Sequence, residues 1–136
     1  MYFLIYRSEA TSQMQEDDLK SLLSQSREHN KSIDITGMLL YFDNKFLQLL
    51  EGDEKDVKHL YAAICKDPRH KNVHTLKEGP AQQRLFPGWS MSFRVLSRED
   101  IATEPAYKDI YKPGSPGARD LVSLFNLLRG KSDSIL

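Results

Sequence analysis

Ile35-Thr36-Gly37-Met38-Leu39-Leu40-Tyr41-Phe42-Asp43-Asn44-Lys45-Phe46-Leu47-Gln48-Leu49-Leu50-Glu51-Gly52 reads as two apolar strands joined by a two-residue turn. Asp and Asn tolerate the positive φ that a tight hairpin turn demands. Closing the turn at Asp43-Asn44 pairs Phe42 with Lys45 and Leu39 with Gln48. Gln48 then shares one sheet face with Gly37, Leu39, Tyr41, Phe46 and Leu50. A buried amide without a partner costs about 1–3 kcal/mol, so Gln48 must have found one. Polar groups where a core would take leucine mark a candidate site.

The partner lies upstream. Residues 2–7 form an apolar strand without clean alternation, so both of its faces should be covered, and its Tyr6 offers a phenol. A first helix is expected from near Ser12, where Ser12-Gln13-Met14-Gln15 reads as a capping box. Its stripe runs through Leu19, Leu22/Leu23, Ser26 and Asn30, so the last two members are polar on an inward face. A second helix should begin at Asp53 and end before Pro68, burying Val57, Leu60, Tyr61 and Ile64. Further strands are expected over 72–78 and 89–95, the latter with Trp89, Met91 and Phe93 on one face.

Beyond Val95 the character changes. Leu96 to Gly117 holds Pro105, Pro113 and Pro116 and reads as a loop with one short helical turn. Arg119 to Arg129 returns to a helical period through Leu121, Val122, Leu124, Phe125 and Leu128. This last helix is expected to cover the sheet face opposite the first two helices, or to make a dimer contact. The division is therefore a unit over 1–95 and an extension over 96–136.

The order β-α-β-β-α-β-β is that of an α+β, ferredoxin-like mixed sheet with two helices on one face. First and third strands are neighbours in that arrangement, so Tyr6 and Gln48 approach each other beneath the helices. Ser26 and Asn30 point toward the same place. The pocket has donors and acceptors but no nucleophile paired with a base. It suits the edge of a flat heteroaromatic ring better than hydrolysis.

Composition excludes several classes. The 136 residues carry 19 basic and 19 acidic side chains, so no global charge draws the chain to nucleic acid or a membrane surface. A chain of this length buries about 68% of its unfolded surface as one domain. Cys65 is the one cysteine, which leaves neither an intrachain disulfide nor a CxxC metal site. Four scattered histidines do not suggest a metal centre. Met1 leads straight into a strand with no signal-like segment, which points to a cytoplasmic protein.

Together, Leu4-Ile5-Tyr6-Arg7-Ser8, His29-Asn30, Ile35-Thr36-Gly37-Met38-Leu39, Phe46-Leu47-Gln48-Leu49-Leu50-Glu51-Gly52, Asp67-Pro68-Arg69-His70 and Trp89-Ser90-Met91 resemble the BLUF family. These are blue-light sensors that use FAD. The resemblance covers about residues 1–95 and implies the fold already read. It implies that Tyr6 is the photoactive tyrosine and Gln48 the switching glutamine, with Trp89 and Met91 as the fifth-strand pair that follows the light state. For cofactor binding it implies Tyr6, Ser8, Ser26, His29, Asn30, Gln48, Ile64, Lys66, Asp67, Arg69, His70 and Met91. The cofactor implied is FAD, with FMN or riboflavin as the other flavins such a site takes. Ala63 stands where some relatives place an arginine near the phosphate, with Lys66 and Arg69 as the nearby cations. Blue light would then drive electron and proton transfer from Tyr6 through Gln48, rearranging hydrogen bonds to the flavin without turnover. The signal would leave by contact with a downstream protein, in a homo-oligomer, and not through nucleic acid or a membrane.

Singly, each residue has a plainer reading. Tyr6, Trp89 and Met91 are core types, Asn30 suits a helix C-cap, and Arg69-His70 suits a solvated turn. The alternative for the whole is a ferredoxin-like, small-ligand regulatory module without photochemistry. An acylphosphatase-like enzyme fits less well, because Arg7 lies inside a strand with no glycine-rich loop after it.

Overall fold

Asp43 and Asn44 turn the chain with φ of 49° and 64°. They do so in a computed structural model that describes residues 1–88 and 90–95. The hairpin they close joins β2 (Thr36–Phe42) to β3 (Lys45–Gly52). Its register runs Phe42↔Lys45 and Leu39↔Gln48, as the turn chemistry requires. Asn44 also ties the hairpin to the end of the first strand, β1 (Tyr2–Ala10), by accepting the Ala10 N–H at 2.8 Å and donating to its carbonyl at 3.1 Å.

The remaining elements are α1 (Glu16–Ser32), α2 (Glu54–Lys66), β4 (His70–Pro80) and β5 (Ser92–Val95). They form one sheet in the order β4-β1-β3-β2-β5. All pairs are antiparallel except β2 with β5, so the sheet is mixed and ferredoxin-like with an added edge strand. On one face Leu4, Tyr6, Leu39, Phe46, Leu50 and Phe93 pack against Leu19, Leu22 and Leu23 of α1 and Val57 of α2. On the other, Ile5, Met38, Leu40, Leu47 and Leu49 are equally buried, which is why these strands do not alternate.

Four boundaries differ from expectation, the first being β1, which runs on past residue 7 to Ala10. α1 starts at Glu16 rather than near Ser12, with the Gln15 N–H donating to Asp18 Oδ2 at 3.0 Å. The acidic run Glu16-Asp17-Asp18 answers the positive end of the helix, and this outweighs the Ser12 cap. β4 extends to both sides of 72–78, with Asn72 at φ 51° and pairing irregularities opposite Ile5/Tyr6 and Arg7/Glu9. β5 begins at Ser92 rather than Trp89. Before it, the Ser90 and Met91 carbonyls take side-chain donors from α1. Trp89, the loop over 96–117 and the helix expected over 119–129 lie outside the described residues. Among the described residues, no helix is long and apolar enough to cross a membrane, and no side-chain cluster could hold a metal.

A buried carboxylate holds the chain on its way to β5. Glu51 accepts from the Thr36 hydroxyl at 2.9 Å and from the Leu85 and Phe86 N–H groups at 2.9 and 2.8 Å. Arg84 closes over it, donating to Thr36 Oγ1 and to the carbonyls of Glu51 and Asp34.

Candidate functional site

Tyr6 and Gln48 stand directly opposite each other across the β1–β3 ladder, on the face covered by the helices. The Tyr6 hydroxyl donates to Gln48 Oε1. At its other end the amide donates from Nε2 to Met91 Sδ at 3.3 Å. A thioether can only accept, so the amide nitrogen faces Met91 and its oxygen faces the phenol.

Tyr6 is 1% exposed, and that burial pushes its pKa well above the ordinary value for a phenol. The nearby Tyr61, Cys65 and Asp67 push the same way. The hydroxyl therefore keeps its proton in the resting protein. The Tyr61 ring lies 5.3 Å from the Tyr6 ring, and its own oxygen accepts from Thr75 at 2.8 Å.

Asn30 is buried at 2% exposure near the end of α1. The helix runs on past it to Ser32, with Ile33 as its cap and Asp34 in the left-handed region. Capping therefore leaves the Asn30 side chain out, and its Nδ2 donates to the Ser90 carbonyl at 3.0 Å. Ser26, one turn earlier, is half-buried on the same wall.

At the start of β4, His70 shares a 2.8 Å hydrogen bond with the buried Ser8 hydroxyl and packs its ring 5.0 Å from Phe46. Burial lowers its pKa against the opposing pull of Asp67. Arg69 grips Asp67 with Nε and Nη2, the latter at 2.6 Å, and reaches Gln25 Oε1 with Nη1 at 3.2 Å. These bonds hold the Asp67 carboxyl below the usual carboxylate range.

These groups surround a cleft of about 230 Å³ between the two helices. Tyr6, Leu39 and Gln48 form its floor. Leu22, Gln25, Ser26, His29 and Asn30 make one wall, and Leu60, Ala63 and Ile64 the other. Asp67, Arg69 and His70 close one end. The mouth is exposed at Gln25, His29 and Ala63. Lys66 is exposed and stands outside the lining, Ser8 backs His70 from behind, and Met91 reaches the site through Gln48.

The donor set fits a flavin ring. Two amides face an apolar slot walled by Leu22, Leu60 and Ile64, and each amide nitrogen carries a second N–H beyond the one already used. The slot lies below the usual volume of about 300–1,000 Å³ for small-molecule sites, which suits a planar head with the rest of the molecule running out through the mouth.

Leu22, Gln25, Leu39 and Leu60 join the lining without having been singled out as site residues, and Ala63, which stands where some relatives place an arginine, lines it too. Gln25 had a signal, because it precedes His29 by four positions on the same helix. Arg27 had none: its Nε donates to the Met91 carbonyl at 2.9 Å, 64 residues away in sequence.

Residues 1–92 match the family described as BLUF, sensors of blue-light using FAD, and the chain belongs to that family. It is thus built as a flavin-binding blue-light sensor, and the match disfavours a regulatory module without photochemistry. Over 108 residues the chain is 36% identical to the photoactivated adenylate cyclase subunit beta of Euglena longa, covering 79% of this chain and 12% of that one. Over 101 residues it is 38% identical to the blue light- and temperature-regulated antirepressor BluF of Escherichia coli K12, covering 72% and 25%. The chain therefore spans only a small part of these relatives. Among solved structures, BlsA in its photo-activated state superposes with a TM-score of 0.82 at 29% identity, over 94% of both chains. The dark state of BlrB, a BLUF protein, gives 0.78 at 28%, over 96% of both.

Proposed function

We propose that residues 1–95 hold FAD in the cleft between α1 and α2 and report blue light by exchanging the hydrogen bonds of Gln48. The observation that carries this reading is the chain Tyr6 hydroxyl, Gln48 amide, Met91 sulfur along the floor of a slot shaped for a flat ring. When bound, the flavin supplies the blue-light absorption and the excited-state pull on an electron. Tyr6 is the electron and proton donor. Its raised pKa means that the proton does not leave ahead of the electron, and the acceptor in line is Gln48 Oε1. An amide that takes a proton on oxygen must give one up from nitrogen, and an electron and a proton then return to the Tyr6 radical, which would leave Gln48 turned over or tautomerised and the ring oxidised. Turning over takes Nε2 away from Met91, loss of a proton leaves that nitrogen a single N–H, and either change presents a different edge to the ring. Two hydrogen-bond arrangements of similar energy make a bistable element, and no substrate is consumed.

Asn30 holds the ring edge, with Ser26, His29, Ile64 and His70 around it. On the phosphate side the cations are uneven. Arg69 is already paired with Asp67, so the exposed Lys66, on α2 three residues after Ala63, is offered as a cation for a diphosphate. FAD is the flavin that the family description names, and Ala63 supplies no charge to its diphosphate. Residues 96–136 form the output extension. The signal passes by contact to a downstream protein in the cytoplasm, with the chain working as a homo-oligomer.

Gln48→Leu tests the reading. Leucine fills the space but neither relays a proton nor exchanges hydrogen bonds, so flavin should stay bound while the light-induced red shift disappears. Absorption before and after blue light measures this. A Gln48→Leu chain that shifts normally and recovers in the dark would sink the relay.

A further inference from the structure

Two side chains one turn apart on α1 hold the backbone that enters β5. Arg27 Nε donates to the Met91 carbonyl at 2.9 Å, and Asn30 Nδ2 to the Ser90 carbonyl at 3.0 Å. Helix residues three apart share a face, so this is a two-point grip on consecutive carbonyls. Ladder pairing starts one residue later, at Met38↔Ser92. Met91 is therefore the last residue held by side chains before the sheet takes over.

The same residue carries the sulfur that accepts from Gln48 Nε2 at 3.3 Å. Its carbonyl and its sulfur are thus fixed from two sides, by α1 and by β3. A backbone shift of about one ångström would take the sulfur out of hydrogen-bonding range. Any such retreat has to release Arg27. The guanidinium does not line the cleft, so its contribution is separate from holding the ring.

We infer that Arg27 is a positioning residue of the switch: it holds the Met91 carbonyl so that the Met91 sulfur stays against the Gln48 amide, and thereby sets the balance between the two arrangements of Gln48. This rests on the reading of Gln48 given above. Asn30 lines the cleft as well as making the grip, whereas Arg27 stands outside the lining, which makes it the cleaner position to alter.

The test uses the full chain labelled with carbonyl-13C methionine, in flavin-free and flavin-loaded form. Four methionines are present, and the Met91 band is the one lost in Met91→Leu. Arg27→Ala should move the Met91 carbonyl band to higher frequency in both forms. It should also change the dark-recovery rate by about tenfold, the scale of one charge-assisted hydrogen bond, while flavin and the red shift remain. Arg27→Lys keeps a cationic donor and should bring both readouts back toward the unaltered chain. Arg27→Met keeps the aliphatic stem and removes the donor, so it carries the test should the alanine chain fail to fold, with the same upward band shift and altered recovery expected. A Met91 band and recovery rate indifferent to Arg27→Ala would overturn the proposal. A chain with no light-induced shift at all removes the switch reading itself, whereas a normal shift with Arg27-independent recovery removes only the role of Arg27.

Discussion

Tyr6→Phe is expected to keep its flavin and lose the reversible red shift completely. The change removes a single oxygen from a residue that is fully buried and packed against the Tyr61 ring at 5.3 Å. Phenylalanine fills the same volume, so the walls of the cleft stay where they are. What goes is the donor to Gln48 Oε1 and, with it, both the electron and the proton. The orphaned amide oxygen costs about 1–3 kcal/mol, so a modest fall in melting temperature should accompany the loss. Light-minus-dark spectra and a thermal melt on the same sample separate the two effects. A Tyr6→Phe chain with a normal reversible shift would remove Tyr6 from the mechanism.

Among the glycines of the described residues, Gly37→Ala should be the most damaging change. Gly37 sits at φ 153°, where L side chains are rarely found, and its ideal Cβ would lie 1.9 Å from the Leu49 carbonyl oxygen. That oxygen belongs to the backbone of β3, the central strand, and cannot step aside as a flexible side chain would. Strain at such a φ costs about 1–3 kcal/mol before the clash is counted, so a loss of about 3 kcal/mol or more is expected. Gly37 also lies two residues before Leu39, which pairs with Gln48, so a displaced β2 disturbs the floor of the cleft. Denaturant unfolding measures the effect. A loss under about 1 kcal/mol would mean that the hairpin has freedom the ladder does not suggest.

How much of this was legible in the sequence follows from where the controlling interactions lie. The hairpin was readable because its determinants are local: two turn residues that accept positive φ, flanked by apolar runs whose period sets the register. From that register and the strand order, Tyr6 opposite Gln48 followed with no side-chain information. The start of α1 went astray because two capping signals compete within six residues, and the acidic first turn prevailed over Ser12. β4 ran longer than expected because an edge strand can carry Lys71 and Pro80 toward water at its ends, which looks like loop in a pattern of hydropathy. The late start of β5 was hidden for a different reason. Its cause is the capture of two carbonyls by Arg27 and Asn30, and contacts spanning about 60 residues leave no mark in local spacing. The Arg69–Asp67 pair was within reach of the sequence, since the residues are two apart around a proline. Their mutual neutralisation was not, because a motif shows which charges are near a site and not which are already matched.

The most direct measurement is the absorption spectrum of the unaltered full chain with its flavin, recorded in darkness, during blue light and through recovery. The visible flavin bands should move to the red without losing intensity and return fully in the dark, as expected when hydrogen bonds around Gln48 change and the oxidised ring persists. Bands that bleach under light, or that do not move at all, would contradict a switch built from Tyr6, Gln48 and Met91.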